Sequence, residues 1–235
     1  MIRLDKFLAS QGFGSRKDVK KLVKDGLVEI DGEIIKKADY KFDENNSEVI
    51  VDEFLVEYRK NTYIIMNKPK GYVCANQDNL HSTVFDLLVE FEHLDLFTIG
   101  RLDLDTTGLL LISDDGSFAH KLTSPKSNIK KEYHALINGF IKQNDIDYFN
   151  EGVIIDEDYK CLPAHLEVVK EDEETSLIKI VISEGKFHQV KKMVKAIGYD
   201  VLELNRVRIG DLELDNSLEL GEYCLIDEDI IKNIF

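Results

Sequence analysis

The sequence predicts an α+β protein in two parts, a small helix–helix–hairpin unit followed by a larger domain built on a mostly antiparallel sheet. Three observations carry that expectation. Helical apolar spacing with a good cap runs into an Asp-Gly turn signal before Ile34. From Tyr63 onward, short apolar runs of strand character are interspersed with short helical stretches. No regular strand–helix–strand repeat orders them, which argues against a parallel sheet wound by helices. A chain of 235 residues has room for one medium and one small domain, each with its own core.

Taken in order, Leu4, Phe7 and Leu8 have helical spacing that Gly12 and Gly14 interrupt. Ser15 is a suitable N-cap for a second helix whose apolar face is Val19, Leu22 and Val23 and which ends at Gly26. Arg16, Lys20 and Lys24 recur every fourth residue with Lys17 and Lys21 beside them, so the opposite face is a basic stripe. Val28 to Ile30, Asp31-Gly32 and a strand through Ile34 read as a hairpin. The polar, charged segment 43–60 reads as domain edge and linker, with boundaries expected at 1–58 and 59–235. In the larger part, Tyr63–Met66, Leu109–Ile112, Tyr133–Ile137, Leu177–Ile182 and Leu202–Ile209 read as strands. Asp114-Asp115-Gly116 reads as a turn, and Phe187, Val190, Val194 and Ile197 as one face of a helix closed by Gly198. Lys68 and Lys70, beside the turn formers Pro69 and Gly71, read as surface charges.

Composition narrows the class. No leading apolar stretch precedes Arg3, Asp5 and Lys6, and no run reaches membrane-spanning length, so a cytoplasmic protein with no membrane contact is expected. Cys74, Cys161 and Cys224 are widely spaced and suit neither a zinc site nor a disulfide framework. The formal net charge is −15, yet the charge is segregated. The first 24 residues carry Arg3, Lys6, Arg16, Lys17, Lys20, Lys21 and Lys24 against only Asp5 and Asp18. Lys121–Lys131 and Lys186–Lys195 are further basic islands. A basic face on an acidic body still attracts phosphates locally.

The stretch "GRLDLDTTGLLL" places Arg101, Asp103 and Asp105 directly before an apolar strand. As bare residues they admit two readings: a carboxylate pair of the glycosidase kind, or a turn in which Arg101 pairs with one aspartate and Thr106 and Thr107 cap. Spacing alone leaves both open, with Asp103 even between function and structure.

The N-terminal strings "RLDKFLA" and "SRKDVKKLVKDGLVEIDG" resemble the S4 RNA-binding domain, which implies RNA contact through the second helix. "GRLDLDTTGLLLISDDG" resembles the signature of the RsuA-type pseudouridine synthases. "NKPKGYVC" lies upstream of it, and "KLTSPKSNIKKEYHALI", "ISEGKFHQVKKM" and "LELNRVRIG" follow in that family's order, covering nearly the whole chain. "DTTGLLL" and "HQVKKM" lean toward the branch acting on small-subunit (16S) ribosomal RNA. The resemblance implies uridine-to-pseudouridine isomerisation with no cofactor and no metal. It makes Asp103 the catalytic carboxylate, Lys191 its cation in place of the arginine common elsewhere in the family, and Tyr133 the aromatic that stacks on the target base. Arg101 then holds the RNA open or fills the vacated stack, Leu204 forms an apolar floor under the base, and His188 and Lys192 join the N-terminal basic residues on RNA. Asp105, Thr106 and Thr107 are assigned to loop structure. The expected partner is ribosomal RNA, free or in a small-subunit assembly intermediate. A large-subunit synthase, a silent RNA-binding assembly factor and a glycoside hydrolase stand as alternatives.

Overall fold

The computed structural model describes residues 1–124, 127–232 and 234. The chain divides into two compact units, Met1–Thr62 with Leu88–Leu96, and Tyr63–Leu87 with Phe97–Phe235. No helix among the described residues is long and apolar enough to cross a membrane.

The first unit contains β1 (Ile2–Arg3), α1 (Leu4–Ser10), α2 (Arg16–Lys24), β2 (Val28–Ile30), β3 (Glu33–Ile34), β4 (Lys41–Phe42), β5 (Val49–Val51) and β6 (Phe54–Leu55). Ser15 caps α2 in a reciprocal box with Asp18, satisfying backbone donors at the helix start. Asp31 and Gly32 both take positive φ, 52° and 81°, as a tight two-residue hairpin turn requires. Leu4, Phe7, Leu8, Val19, Val23, Val28 and Ile30 interlock as a core with Val49 and Val51. Those two valines correct the expectation for segment 43–60. It is not merely linker: β5 pairs with β2 and β6 in a sheet ordered β3–β2–β5–β6. The flanking charges hide a buried–exposed alternation only three residues long.

The second unit contains β7 (Tyr63–Lys68), β8 (Tyr72–Val73), β9 (Ser82–Thr83), β10 (Phe97–Ile99), β11 (Thr107–Ser113), α3 (Gly116–Thr123), β12 (Lys131–Asn138), α4 (Gln143–Glu151), β13 (Ile154–Ile155), β14 (Tyr159–Lys160), β15 (His165–Glu171), β16 (Thr175–Ile182), α5 (Gln189–Ala196), β17 (Val201–Ile209), β18 (Leu212–Glu213), β19 (Tyr223–Leu225) and α6 (Glu228–Lys232). Its main sheet runs β15–β16–β12–β17–β11–β7–β19, with β10 on β11 and β18 on β17. Every pairing in it is antiparallel except β11 with β17, the mostly antiparallel sheet that the strand-rich order predicts.

That parallel junction positions the site. It aligns Thr107 with Asn205 and Gly108 with Arg206, so the loop before β11 lies beside the middle of β17. Gly108 has φ +103°, and a Cβ there would stand 2.1 Å from Asn205 Oδ1 and 2.3 Å from the Arg206 carbonyl. Only glycine lets the two backbones approach this closely. The run Leu109–Ile112 is buried on both faces, as its unbroken apolarity implies.

Two expectations shift in detail. Asp115 does more than turn the chain, since its carboxylate accepts from the backbone of Ser117 and Phe118 and caps α3. Helix α5 starts at Gln189 rather than Phe187, because His188 takes a left-handed conformation (φ 53°) and leaves Phe187 74% exposed. Val190 and Val194 are buried as the spacing predicts.

Candidate active site

Between β10 and β11 the chain leaves the sheet, loops through Gly100–Thr106 and re-enters beside β17. The loop closes on itself, Thr106 N donating to the Asp103 carbonyl at 3.1 Å. Beneath it lies Lys68, at the end of β7 and fully buried. Its ammonium donates to the carbonyls of Pro69, Asp103 and Thr106, each at 3.0 Å. Burial pushes this lysine below its ordinary pKa, and the charges of Asp105 and Asp103 oppose that shift. The expectation of a surface charge is therefore wrong for Lys68, whose charge fixes the loop from inside. Lys70 is exposed and pairs with Glu203 at 3.2 Å.

The loop and the start of α5 frame a cavity of about 470 Å³. Asp103, Lys191, Tyr133, Leu204, Arg101 and His188 all line it. Lys191 Nζ lies 3.1 Å from Asp103 Oδ2 and 2.5 Å from Asp105 Oδ1. Burial works against the lysine charge, but its hydrogen bonds to Asp105 and Asp103 outweigh burial and raise its pKa above the ordinary value. The same bond, again outweighing burial, holds the Asp105 carboxyl below the usual range. His188 Nε2 stands 3.5 Å from Asp103 Oδ1. Both aspartates thus face Lys191, not Arg101, which answers the reading of this stretch as an Arg–Asp turn. Thr107 Oγ1 donates to the Leu204 carbonyl at 3.3 Å, so its hydroxyl ties the loop to β17.

Tyr133 is 8% exposed and aligned on β12 with Arg206 of β17 and Ile180 of β16. Leu204, two residues before Arg206, is also buried. The approach to α5 is fixed by Glu184, which accepts from Tyr159 Oη, Leu162 N and Gln189 Nε2, each at 2.8 Å. The hydrogen bond to Glu184 pushes the Tyr159 phenol up to about 12. Gln189 Oε1 also accepts from Lys186 N at 2.9 Å.

Not every expected residue joins this cluster. Lys192 turns to Asp156 at 2.6 Å, and Lys195 to Asp200 at 2.7 Å. Lys126, within the basic island Lys121–Lys131, lies outside the described residues. In the first unit, Arg3 forks onto buried Asp5 at 3.0 and 2.8 Å, holding that carboxyl low, so its guanidinium is engaged within the protein. Lys6, Arg16, Lys17, Lys20, Lys21 and Lys24 are all exposed.

Among the cavity residues to which sequence reasoning gave no part in the site are Thr106, Lys131, Glu184 and Arg206. Arg206 has a signal after all. It shares strand parity with Leu204, so one of two neighbouring inward positions is an arginine.

The RNA pseudouridylate synthase family matches residues 62–196 and the S4 domain matches residues 2–47. An uncharacterised RNA pseudouridine synthase of Bacillus subtilis is 43% identical, covering 97% of this chain and 96% of its own. The ribosomal small subunit pseudouridine synthase A of Escherichia coli is 37% identical over 99% of this chain and 100% of its own. A crystal structure of a pseudouridylate synthase, 34% identical, covers both chains fully with a TM-score of 0.67. The chain belongs to the RNA pseudouridylate synthase family and is a pseudouridine synthase that carries an S4 domain.

Proposed function

We propose that this enzyme converts a specific uridine of small-subunit ribosomal RNA to pseudouridine in the cytoplasm, with Asp103 as the reacting carboxylate. The observation that carries the reading is Asp103 on a cavity of about 470 Å³, ample for a base, with Lys191 at 3.1 Å. The isomerisation breaks the bond from C1′ to N1, turns the uracil, joins C5 to C1′, releases the C5 proton and places a proton on N1, so that atoms and charge balance. A carboxylate beside C1′ serves as nucleophile or stabilises positive charge at the sugar. It must stay ionised while partly desolvated, and a neighbouring cation offsets the cost. Lys191 supplies that cation as a point charge, its position set by Asp105 on the other side.

Tyr133 stacks on the extruded base and presents a hydroxyl for proton transfer. Leu204 forms the apolar floor, and Arg101, exposed beside the cavity, holds the strand open. Extruding a base costs a few kcal/mol, and stacking on an aromatic returns about 1–3 kcal/mol. Phosphate contacts supply the remainder. In this reading Arg16, Lys17, Lys20, Lys21, Lys24 and Lys6 make them from the first unit, with His188 and Lys192 from the second. The engagement of Arg3 with Asp5 makes it the weakest candidate. The small-subunit target is supported by similarity to the Escherichia coli synthase along the full chain. The test is to incubate the protein with unmodified small- and large-subunit RNA and to map pseudouridine by chemical labelling and primer extension. One modified position in small-subunit RNA is expected. Modification of large-subunit RNA alone contradicts the substrate assignment, and modification of neither contradicts the reading.

A further inference from the structure

Two residues that line the cavity each keep a buried polar atom without a hydrogen-bond partner among the described residues: Nη2 of Arg206 and Oγ1 of Thr106. Both residues are almost fully enclosed, at 2% and 1% exposure. Arg206 spends its Nε on the Leu109 carbonyl at 2.8 Å, which anchors the guanidinium and leaves Nη2 over. An unpaired buried donor is costly, more so when charged, so a native site that keeps one calls for an occupant. Lys131 lines the same cavity, and its ammonium is held below the ordinary value by burial and by the Arg206 charge. Lys131 already donates to the Ile129 carbonyl at 3.3 Å and feels the Glu184 charge, so the donor left without an acceptor at this end is Arg206 Nη2.

The proposed chemistry limits what that occupant is. An arginine nitrogen only donates, whereas a hydroxyl both donates and accepts. Uracil presents along one edge a carbonyl, an N–H and a second carbonyl. We infer that Arg206 and Thr106 read this edge, Arg206 donating to a ring carbonyl and the Thr106 hydroxyl meeting N3–H. The inference rests on uridine isomerisation at this site. The pairing also explains how one fixed donor serves both halves of the reaction. A half-turn of uracil about the axis through N3 and C6 exchanges N1 with C5 and O2 with O4. The detached base therefore offers Arg206 a carbonyl before and after it turns. Where Arg206 meets the C4 position, cytosine presents an amine in place of the carbonyl, a donor facing a donor, and both are left unpaired. Sites that hydrogen-bond their substrate reject the mismatched analogue strongly for this reason.

The test uses the full-length enzyme and a small-subunit RNA fragment containing the uridine that the wild type converts. That uridine is replaced by 2-thiouridine or 4-thiouridine, whose sulfur is a poor acceptor. In the wild type at least one sulfur is expected to lower kcat/KM about tenfold, the loss of one charge-assisted bond. In Arg206→Met the oxygen substrate should react about 10²-fold more slowly and the sulfur penalty should fall below about twofold. Equal rates for all three substrates in the wild type would overturn the inference, as would a sulfur penalty unchanged in Arg206→Met. If Arg206→Met does not keep the wild-type melting temperature, near-isosteric Thr106→Val replaces it: a loss of about tenfold supports the assignment, and none overturns it. Absence of pseudouridine in the unmodified fragment would instead overturn the isomerisation reading itself.

Discussion

Lys191 stands between two carboxylates with different work. Asp103 is 27% exposed at the cavity, while Asp105 is 68% exposed and touches the same ammonium from outside. Removing the lysine leaves the Asp103 charge unpaired, so Lys191→Met is expected to cost roughly 10²-fold or more in kcat. Lys192→Met, which loses an exposed contact to Asp156, a place over the Phe187 ring and at most one phosphate contact, should stay within about threefold in rate at saturating enzyme. Single-turnover rates compare them, and equal mild effects would remove Lys191 from the mechanism. Asp105→Asn keeps an acceptor for Lys191 and should retain at least about a tenth of wild-type activity. A loss as complete as at Asp103 would show that Asp105 is more than a tether. At this scale the sequence made Asp103, Lys191, Tyr133 and Leu204 legible through motifs, and all four line one cavity. Lys68 was not, and Arg206 only through its strand parity with Leu204, because their partners are backbone carbonyls that only the folded sheet brings to them.

Among the elements, the β11–β17 junction matters most, since it is where the aspartate loop meets the strand carrying Leu204 and Arg206. Gly108→Ala drives a methyl against Asn205 Oδ1 and the Arg206 carbonyl at positive φ. We expect it to destabilise the protein by roughly 3 kcal/mol, lowering Tm by roughly 6–12 °C, with activity lost in the same proportion or more. An unchanged melting curve would mean that the strands part without cost. A glycine before an apolar run announces a special backbone but not its partner, which lies almost a hundred residues away in β17. The strands of the main sheet were legible from their apolar runs, whereas β5 and β6 were masked by surrounding charge. The start of α5 was misplaced because nothing local marks His188 as left-handed.

For the molecule as a whole, a net charge of −15 coexists with an exposed basic stripe on α2. If the stripe binds RNA phosphates, each contact contributes roughly 0.7 to the slope of log affinity against log salt. Replacing Lys20 and Lys24 together by Gln should lower that slope by about 1.4 and weaken binding, with little change in single-turnover rate at saturating enzyme. An unaltered slope would move RNA capture to the basic residues of the second unit. The segregation of charge was visible in the sequence, and the capping box of Ser15 and Asp18 marks where the striped helix starts.

The central claim is that the Asp103 carboxylate performs the chemistry. Asp103→Asn is nearly isosteric and leaves the backbone carbonyl that Lys68 holds in place. The measurement is single-turnover pseudouridine formation on small-subunit RNA by this variant and the wild type, with RNA affinity determined in parallel. The account predicts a rate at least about 10³-fold lower at nearly unchanged affinity. Turnover within about tenfold of wild type would contradict it.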